Sequence, residues 1–307
     1  MDIRVLQYFL ETAREANMSR AAEKLHISQP TMSKQLKDLE EELGAKLFTR
    51  SNYSIKLTEA GMLLRKRAED IVSLVEMTKA EFQSLDDINS GDVFVGAAES
   101  EAFQFFAETA SDLQRDYPNI RYNIYSGNME DVCERLDKGL LDFAIIARYI
   151  DSSKYKFFEI PGNDTWGVIM RKDDPLALRK TLSIDDLFEL PLICSRQWLS
   201  LDLTRWFGEQ ADKLRIVATF NVCFNASIMV RAGMGYAITF EKKMYTRNDN
   251  DLIFRPISSV PKSKLNIVWR KHQALTPIAK LLLNELQERC SNLLDDTSTP
   301  KTAEDPR

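Results

Sequence analysis

The stretch that decides the fold lies near the N-terminus, where residues 18–50 read MSRAAEKLHISQPTMSKQLKDLEEELGAKLFTR. Ser19 is a residue type preferred just before a helix and predicts a short first helix. Ser28 predicts the start of a second helix, whose first turn tolerates Pro30. Gly44 is expected to end that helix in a left-handed conformation. The second helix has one apolar face with spacings of 4, 3 and 4 residues, at Met32, Leu36, Leu39 and Leu43.

Two short helices joined by a tight turn, the second of them amphipathic, are typical of a helix-turn-helix. The polar face of the second helix suits DNA, because Gln and Ser can read base edges while Lys and Thr can hold phosphates. We therefore predict DNA contacts from six residues of this helix, which are Gln29, Pro30, Thr31, Ser33, Lys34 and Lys37. The alternative is that this face is the solvated side of an ordinary pair of helices.

The segments on either side complete a small N-terminal domain. Residues 3–16 predict a helix whose apolar stripe packs under the helix-turn-helix. After Gly44, the short alternating segments 46–48 and 54–57 predict a β-hairpin, or wing. Arg50 lies near the tip of this hairpin, where an arginine can reach a minor groove or a phosphate. The alternative for Arg50 is a solvated cation in a loop.

A long helix is predicted from Thr58, as its cap, to about Leu85. Its apolar positions alternate at spacings of 4 and 3, which is typical of a coiled-coil seam. The seam positions are Leu64, Ala68, Ile71, Val75, Thr78, Phe82 and Leu85. Because one helix cannot bury its own seam, we predict a homodimer paired through residues 58–85. Packing of the seam against the chain's own body is the alternative.

Beyond a predicted hinge at residues 86–91, strands and helices alternate along the chain. Continuous apolar strands such as 143–146 favour a buried parallel sheet and βαβ architecture. Strands are predicted near 93–95, 121–125, 143–146, 166–171, 192–194, 216–220, 236–239 and 265–269. Helices are predicted near 101–116, 129–138, 183–187, 198–210, 224–232 and 276–294. The end of the chain from Asp295 is polar, contains two prolines and predicts disorder.

Composition narrows the class of protein. The 307 residues are 44% hydrophobic and 28% charged, which is ordinary for a soluble globular protein. No apolar run is long enough for a membrane span, and the N-terminus lacks the features of a secretory signal, so we expect a cytoplasmic protein. Four scattered cysteines and two histidines make a zinc site improbable, and we predict no metal or cofactor.

The charge is unevenly distributed. The whole chain carries a net charge of −5, yet residues 1–67 hold 12 Lys and Arg against 9 Asp and Glu. That segment is therefore +3, and the remainder is −8. Such asymmetry fits a DNA-binding head attached to a body that does not touch DNA.

The N-terminal pattern resembles the LysR-type transcriptional regulators almost without a gap from Leu6 to Gly61. The resemblance rests on Phe9, Ala21-Ala22, Leu25, Ser28-Gln29-Pro30, Ser33, Leu39-Glu40, Leu43-Gly44, Leu47-Phe48, Arg50, Leu57-Thr58 and Ala60-Gly61. The second half resembles the family's effector-binding domain less specifically, at Tyr117-Pro118, Gly127, residues 139–145 and the V-x-A-G-M-G run at 230–235.

This resemblance implies an α+β multidomain chain and a function. A winged helix-turn-helix domain is expected at 1–58, a linker and dimerisation helix with a hinge at 59–88, and an effector-binding domain at 89–295, followed by a disordered tail at 296–307. The effector domain would have two α/β subdomains like periplasmic binding proteins, subdomain I at about 91–160 and 266–295 and subdomain II at about 161–265. Crossovers are expected near Pro161 and near 259–265. The implied function is a DNA-binding regulator, dimeric or tetrameric, that binds double-stranded operator DNA and is controlled by a small-molecule effector.

The effector is expected where strands end, because ligands of open α/β sheets bind at the carboxyl ends of strands. This rule and the resemblance point to Ser100, Asn128, Arg148, Ser195 and Asn221. Backbone N–H groups there favour an anion, often a carboxylate, which Arg148 or Arg196 could pair with. Glu99 and Glu101 beside Ser100 would instead disfavour a dianion and suit an amine or an amino acid. The alternative for these polar residues is helix capping or solvent exposure.

Three other functions fit the sequence less well. One branch of the family senses oxidants through a disulfide in the second subdomain, where Cys194 and Cys223 lie, but no basic neighbour beyond Arg196 favours a lowered thiol pKa. A solute-binding or transport protein is disfavoured because no secretory signal is found. An enzyme is disfavoured because the chain has no G-x-S-x-G, P-loop or H-E-x-x-H motif. We therefore expect a regulator without catalytic activity.

Overall fold

The computed structural model describes residues 1–50, 55–84, 90–100, 103–147, 150–241, 251–258 and 260–298. The chain divides into two compact units, Met1–Gln83 and Ser84–Arg307. Each unit contains a hydrophobic core of its own.

The first unit is a three-helix head with a hairpin and a long helix. Its elements are α1 (Ile3–Glu15), α2 (Met18–Lys24), α3 (Gln29–Leu43), β1 (Phe48–Arg50), β2 (Ile55–Leu57) and α4 (Glu59–Ser84). The predicted start of α3 is confirmed, because Ser28 accepts a hydrogen bond from the backbone N–H of Thr31. Its predicted end is also confirmed, because Gly44 has φ of 65°. The predicted cap of α2 is wrong: Asn17, not Ser19, caps it, since its side-chain oxygen accepts from the N–H groups of Ser19 and Arg20 at 3.0 Å.

The core of the head forms where the apolar faces of the three helices meet. The predicted face of α3 is buried at Met32, Leu36 and Leu39 and packs with Phe9 of α1. Leu43, in the last turn of α3, is an exception to the predicted face, since it is 42% exposed and lies outside this cluster.

The long helix α4 begins as predicted. The hydroxyl of Thr58 accepts a hydrogen bond from the backbone N–H of Gly61 at 3.0 Å and donates to the carbonyl of Lys46 at 2.6 Å. Gly61 is required at this position, because a Cβ there would lie 2.2 Å from the carbonyl oxygen of Leu47. The start of α4 therefore lies directly against the segment that leads into the hairpin.

The predicted seam of α4 is only partly available to a partner. Leu64, Ala68 and Ile71 pack against the core of the head itself, so the alternative of packing on the chain's own body holds for this half of the seam. Phe82, at the other end, is 72% exposed. Leu85 lies outside the described residues. The large apolar side chains that α4 exposes are Met62, Leu63, Leu74 and Phe82.

The second unit contains two five-stranded sheets flanked by helices. Its strands are β3 (Ser90–Ala97), β4 (Asn119–Ser126), β5 (Phe143–Ala147), β6 (Tyr155–Asp164), β7 (Trp166–Arg171), β8 (Pro191–Ser195), β9 (Arg215–Phe220), β10 (Tyr236–Phe240), β11 (Leu252–Pro256) and β12 (Ser263–Arg270). Its helices are α5 (Phe103–Asp116), α6 (Met129–Asp137), α7 (Arg196–Leu201), α8 (Leu203–Phe207), α9 (Cys223–Arg231) and α10 (Pro277–Ser298). The strand order is β4-β3-β5-β12-β6 in the first sheet and β11-β7-β10-β8-β9 in the second.

The sheets differ from the prediction at their edges and in strand direction. Strands β6 and β11 were not predicted, and both lie at sheet edges. Pro161 and Gly162 lie inside β6, although both are residue types typical of turns. An edge strand tolerates a proline because the backbone groups on its outer side need no hydrogen bond to a neighbouring strand. Strand β12 runs antiparallel to β5 and β6, and β7 runs antiparallel to β10 and β11, so neither sheet is wholly parallel.

The positions of the two crossovers follow from these strands. The chain passes from the first sheet to the second between Asp164 and Trp166, because Pro161 lies within β6 rather than at the crossover. It returns between Pro256 and Ser263, which overlaps the range expected near 259–265. One buried residue of the family-like run 139–145 also has a structural role: the Asp142 carboxylate accepts a hydrogen bond from the backbone N–H of Phe94 at 2.8 Å and thereby ties β5 to β3.

Three helical predictions also need correction. The helix predicted at 198–210 is the pair α7 and α8 followed by a 3-10 turn, and 183–187 holds only a 3-10 turn at Asp185–Leu187. Helix α10 continues to Ser298, so the disorder predicted from Asp295 is wrong for residues 295–298. The rest of the predicted disordered tail lies outside the described residues. Within the described part of the chain, no helix is long and apolar enough to cross a membrane, and no cluster of side chains suits a metal ion.

Candidate functional sites

The first candidate site is the polar face of α3. Of the six residues predicted to contact DNA, Ser33 is half-buried and the other five are exposed. The Thr31 hydroxyl lies 2.7 Å from that of Ser28, and the Lys37 ammonium lies 3.3 Å from a carboxylate oxygen of Glu41. The structure therefore brings these side chains together on one accessible surface, opposite the buried Met32, Leu36 and Leu39.

A carboxylate links α3 to the hairpin. Oε1 of Glu40 accepts hydrogen bonds from the backbone N–H groups of Leu47 at 2.8 Å and Phe48 at 3.3 Å, and its Oε2 lies 2.8 Å from Nζ of Lys46. Burial raises the pKa of Glu40, but the hydrogen bonds from Lys46, Leu47 and Phe48 together lower it below its usual value. Sequence reasoning missed this role, because Glu40 begins a run of three glutamates that resembles a solvated surface.

The hairpin itself is short. Strand β1 pairs antiparallel with β2, with Arg50 opposite Ile55 and Phe48 opposite Leu57. Residues 51–54, at its tip, and the side chain of Arg50 lie outside the described part of the structure. The contact predicted for Arg50 therefore stays a prediction.

The second candidate site is a cleft between the two sheets of the second unit. Its innermost part is a cavity of about 40 Å³, formed where strands of both sheets end. The cavity is lined by Ala98, Glu99, Gly127, Asn128, Trp166, Ser195, Arg196, Gln197, Phe220, Asn221, Ile238, Thr239 and Phe240. A more open recess of about 730 Å³ adjoins it and shares Asn128, Arg196, Gln197, Phe220 and Asn221 with the inner cavity. The inner part has room for very few waters, whereas the recess can hold a small molecule.

Three of the five predicted effector residues meet in this cleft. Asn128 and Asn221 line both the inner cavity and the recess, and Ser195 lines the inner cavity. Ser100 is half-buried and is not among the described residues that line either part. Arg148 lies outside the described residues. The assignment of all five to the effector stays a prediction.

Two of these side chains also cap helices, which was the alternative considered from sequence. Oδ1 of Asn128 accepts from the backbone N–H of Asp131 at 2.9 Å at the start of α6. The Ser195 hydroxyl accepts from the backbone N–H of Trp198 at 3.0 Å at the start of α7. Both groups therefore face the cleft while holding the helices that frame it.

Two further cleft residues reach across the cleft: Glu99, which was considered from sequence only as a charge beside Ser100, and Gln197, which was not predicted. Oε2 of Glu99, which follows β3, accepts a hydrogen bond from the backbone N–H of Cys223 at 2.9 Å. Oε1 of Gln197, in α7, makes a longer contact of 3.5 Å with the backbone N–H of Met129 at the start of α6. Residues 99 and 223 are 124 positions apart in sequence, so no local pattern predicts their contact.

The cysteines considered for redox sensing lie in different hydrophobic clusters. Cys194 packs in the cluster that contains Ile238, whereas Cys223 packs in the one that contains Ile193 and Ala237. Successive residues of a strand point to opposite faces of the sheet, so Ile193 and Cys194 of β8 face opposite sides. Because Cys223 packs on the side of Ile193, the two thiols lie on opposite faces of the second sheet. Burial also raises the pKa of the Cys194 thiol to about 12, which disfavours a reactive thiolate.

Comparison with known proteins gives consistent matches along the chain. Residues 3–62 match the bacterial regulatory helix-turn-helix protein, lysR family, and residues 87–291 match the LysR substrate binding domain. HTH-type transcriptional regulator YtlI of Bacillus subtilis (strain 168) is 28% identical over 294 residues, which are 93% of this chain and 88% of that protein. HTH-type transcriptional regulator BsdA of the same organism is 32% identical over 198 residues, which are 64% of this chain and 67% of that protein.

Among solved structures, the crystal structure of full-length CbnR complexed with the target DNA is similar in fold. The alignment has a TM-score of 0.71 and 20% sequence identity, and it covers 94% of this chain and 99% of CbnR. This likeness agrees with the helix-turn-helix head and the two-sheet unit described above.

Proposed function

We propose a division of work between the two units on the premise that the chain belongs to the LysR family of DNA-binding transcriptional regulators. The head, Met1–Gln83, reads operator DNA with the polar face of α3. The unit Ser84–Arg307 binds a small-molecule effector in the cleft between its two sheets. Operator DNA of a bacterial regulator lies in the cytoplasm, and we place this protein there, acting without catalysing a reaction.

One observation carries the DNA-reading part of the proposal: the amphipathic character of α3 in the folded head. Its apolar side chains Met32, Leu36 and Leu39 are buried. The polar side chains exposed along the other side are Gln29, Thr31, Lys34 and Lys37. A helix of this kind fits the major groove, where Gln and Ser can read bases and Lys can neutralise phosphates. Glu40 supports the same surface, because it holds the hairpin at a constant position relative to α3.

We further propose that the protein pairs through α4. This helix exposes Leu63, Leu74 and Phe82, which one chain leaves in contact with water. Two chains paired there would present two copies of α3, and dimers of helix-turn-helix proteins bind half-sites about 34 Å apart. An operator with two half-sites separated by one turn of the duplex is therefore expected.

The proposal is tested with the full chain and the DNA that flanks its own gene. Footprinting locates the operator, and fluorescence anisotropy compares binding to the operator with binding to a scrambled duplex. Gln29→Ala or Ser33→Ala should lower the ratio of the two affinities by about 5- to 100-fold, which corresponds to the loss of one base contact. Lys37→Ala should weaken both complexes alike and reduce the salt slope by about 1, because it removes one phosphate contact.

The matched control is Lys24→Ala. Lys24 is an exposed lysine of α2 whose Nζ lies 2.5 Å from Oε1 of Glu15. We do not place it on the DNA-reading face. This variant should bind both duplexes as the unaltered protein does. Equal weakening on both duplexes by Gln29→Ala, Ser33→Ala and Lys37→Ala would refute the assignment of base reading to α3.

A further inference from the structure

Two side chains cross the cleft, one in each direction. Glu99 extends from the first sheet to the backbone N–H of Cys223, at the start of α9 on the second sheet, at 2.9 Å. In the opposite direction, Gln197 extends from the second sheet to the backbone N–H of Met129 at the start of α6, at 3.5 Å. Each half of the unit thus offers an oxygen acceptor to a helix of the other half.

The start of α9 depends on Glu99 because it has no side-chain cap of its own. Val222 occupies the capping position and makes no side-chain hydrogen bond there. The first turn of a helix carries unsatisfied N–H donors and a partial positive charge, and both favour a carboxylate. The Glu99 carboxylate satisfies one of these donors from across the cleft.

The same carboxylate already accepts the N–H of Cys223, the donor that a ligand carboxylate at the start of α9 would need. Glu99 lines the inner cavity of about 40 Å³, so a ligand carboxylate that entered this end of the cleft would lie close to the Glu99 carboxylate. Asn128 and Ser195 are polar side chains of the kind that can bind an anion, but their oxygens already cap α6 and α7. The other charged residue among those that line the cavity is Arg196, which is exposed.

We propose that Glu99 is an internal carboxylate ligand of the cleft and determines the charge class of effector that the cleft accepts. With Glu99 in place, a ligand carboxylate is kept from the N–H of Cys223 by occupancy and by like charge, so the natural effector presents a neutral or cationic group to this end of the cleft. Without Glu99, the start of α9 becomes a site for an external carboxylate. This inference rests on the proposed function of the cleft as the effector site.

The test is the rescue of Glu99→Ala by a small carboxylate. Thermal unfolding of the full chain is followed by tryptophan fluorescence in 100 mM sodium acetate and in 100 mM sodium chloride. All four tryptophans, Trp166, Trp198, Trp206 and Trp269, lie in the unit that contains the cleft. Glu99→Ala should have a lower Tm in chloride than the unaltered protein, and acetate should raise its Tm by roughly 2–4 °C over chloride. The unaltered protein should show no difference between the two salts.

Two further variants make the outcome decisive. Glu209→Ala removes an exposed glutamate of the same unit and should behave as the unaltered protein in both salts. Glu99→Gln keeps the side-chain volume but removes the charge, so it should fold even where Glu99→Ala does not. Because a neutral amide is a weaker acceptor for the Cys223 N–H than a carboxylate, acetate should stabilise this variant more than the unaltered protein and less than Glu99→Ala. The inference is overturned if acetate stabilises the unaltered protein as much as the Glu99 variants, or stabilises none of them. Because no DNA is present, a failure of operator binding and a failure of this inference are separate results.

Discussion

Replacement of Glu40 by alanine should destabilise the head more than its place in an acidic run suggests. The side chain is only 11% exposed, and its Oε1 accepts a hydrogen bond of 2.8 Å from Leu47 and a longer one of 3.3 Å from Phe48. A hydrogen bond to a charged group contributes about 1.5–3 kcal/mol, and the ion pair with the exposed Lys46 adds little. We therefore expect Glu40→Ala to lower the free energy of unfolding of the head by roughly 2–3 kcal/mol.

The matched control is the next residue in the chain. Glu41 is exposed, and a carboxylate oxygen of Glu41 lies 3.3 Å from Nζ of Lys37, four positions away on the same helix. We therefore expect Glu41→Ala to lower the free energy of unfolding by less than about 0.5 kcal/mol. Urea unfolding of the full chain is followed by far-UV circular dichroism, because every tryptophan lies in the other unit. Tryptophan fluorescence measured in the same samples then reports whether that other unit is affected.

The dependence on pH gives a second readout of the same contact. Since the net effect of its surroundings lowers the pKa of Glu40, this group contributes its full stability above the pKa of an unfolded glutamate, about 4.3. The contribution is lost as the pH falls through the lower pKa of the folded state. The difference between the unaltered protein and Glu40→Ala should therefore be constant near neutral pH and shrink below about pH 4. Equal destabilisation by Glu40→Ala and Glu41→Ala at pH 7 would refute the reasoning.

Three other changes test separate parts of the structure. Gly61→Ala would place a Cβ 2.2 Å from the carbonyl oxygen of Leu47, so we expect the head to lose about 1–3 kcal/mol of stability by circular dichroism; an unchanged stability would contradict this close approach. Leu74→Lys places a charge on the exposed apolar side of α4 and should shift the mass in light scattering from dimer toward monomer; an unchanged mass would exclude this side of α4 from the interface. Iodoacetamide at pH 8 should modify the half-buried Cys133 before the fully buried Cys194, whose pKa burial raises to about 12; prior modification of Cys194 would contradict its burial.

The helix-turn-helix could be predicted from sequence because its signals act over one or two helical turns. Ser28 starts α3 through its own hydroxyl, and Gly44 ends it because glycine adopts a positive φ without strain. The apolar spacing of Met32, Leu36 and Leu39 places one side of α3 in the core wherever the other helices lie. The same locality explains the error at α2, where Asn17 and Ser19 are both good caps only two residues apart.

The sheets could be predicted only in part, because strands depend on partners that are distant in sequence. Central strands such as β5 are continuous apolar runs and were found. The edge strand β6 was not, since Pro161 and Gly162 are turn signals that only its position at the edge makes compatible with a strand. The mixed direction of the first sheet follows from the return of the chain through β12, which the order of elements along the sequence does not specify.

The sequence by itself therefore determined the start, the end and the buried face of α3, because capping and periodicity are properties of neighbouring residues, and its resemblance to the LysR family indicated the class of this protein. Only the tertiary structure decided how the seam of α4 is divided between the head's own core and the surface, and that Glu40 ties the hairpin to α3. It alone decided that Glu99 reaches the start of α9 across the cleft, because a contact between residues 124 positions apart exists only after both sheets have formed.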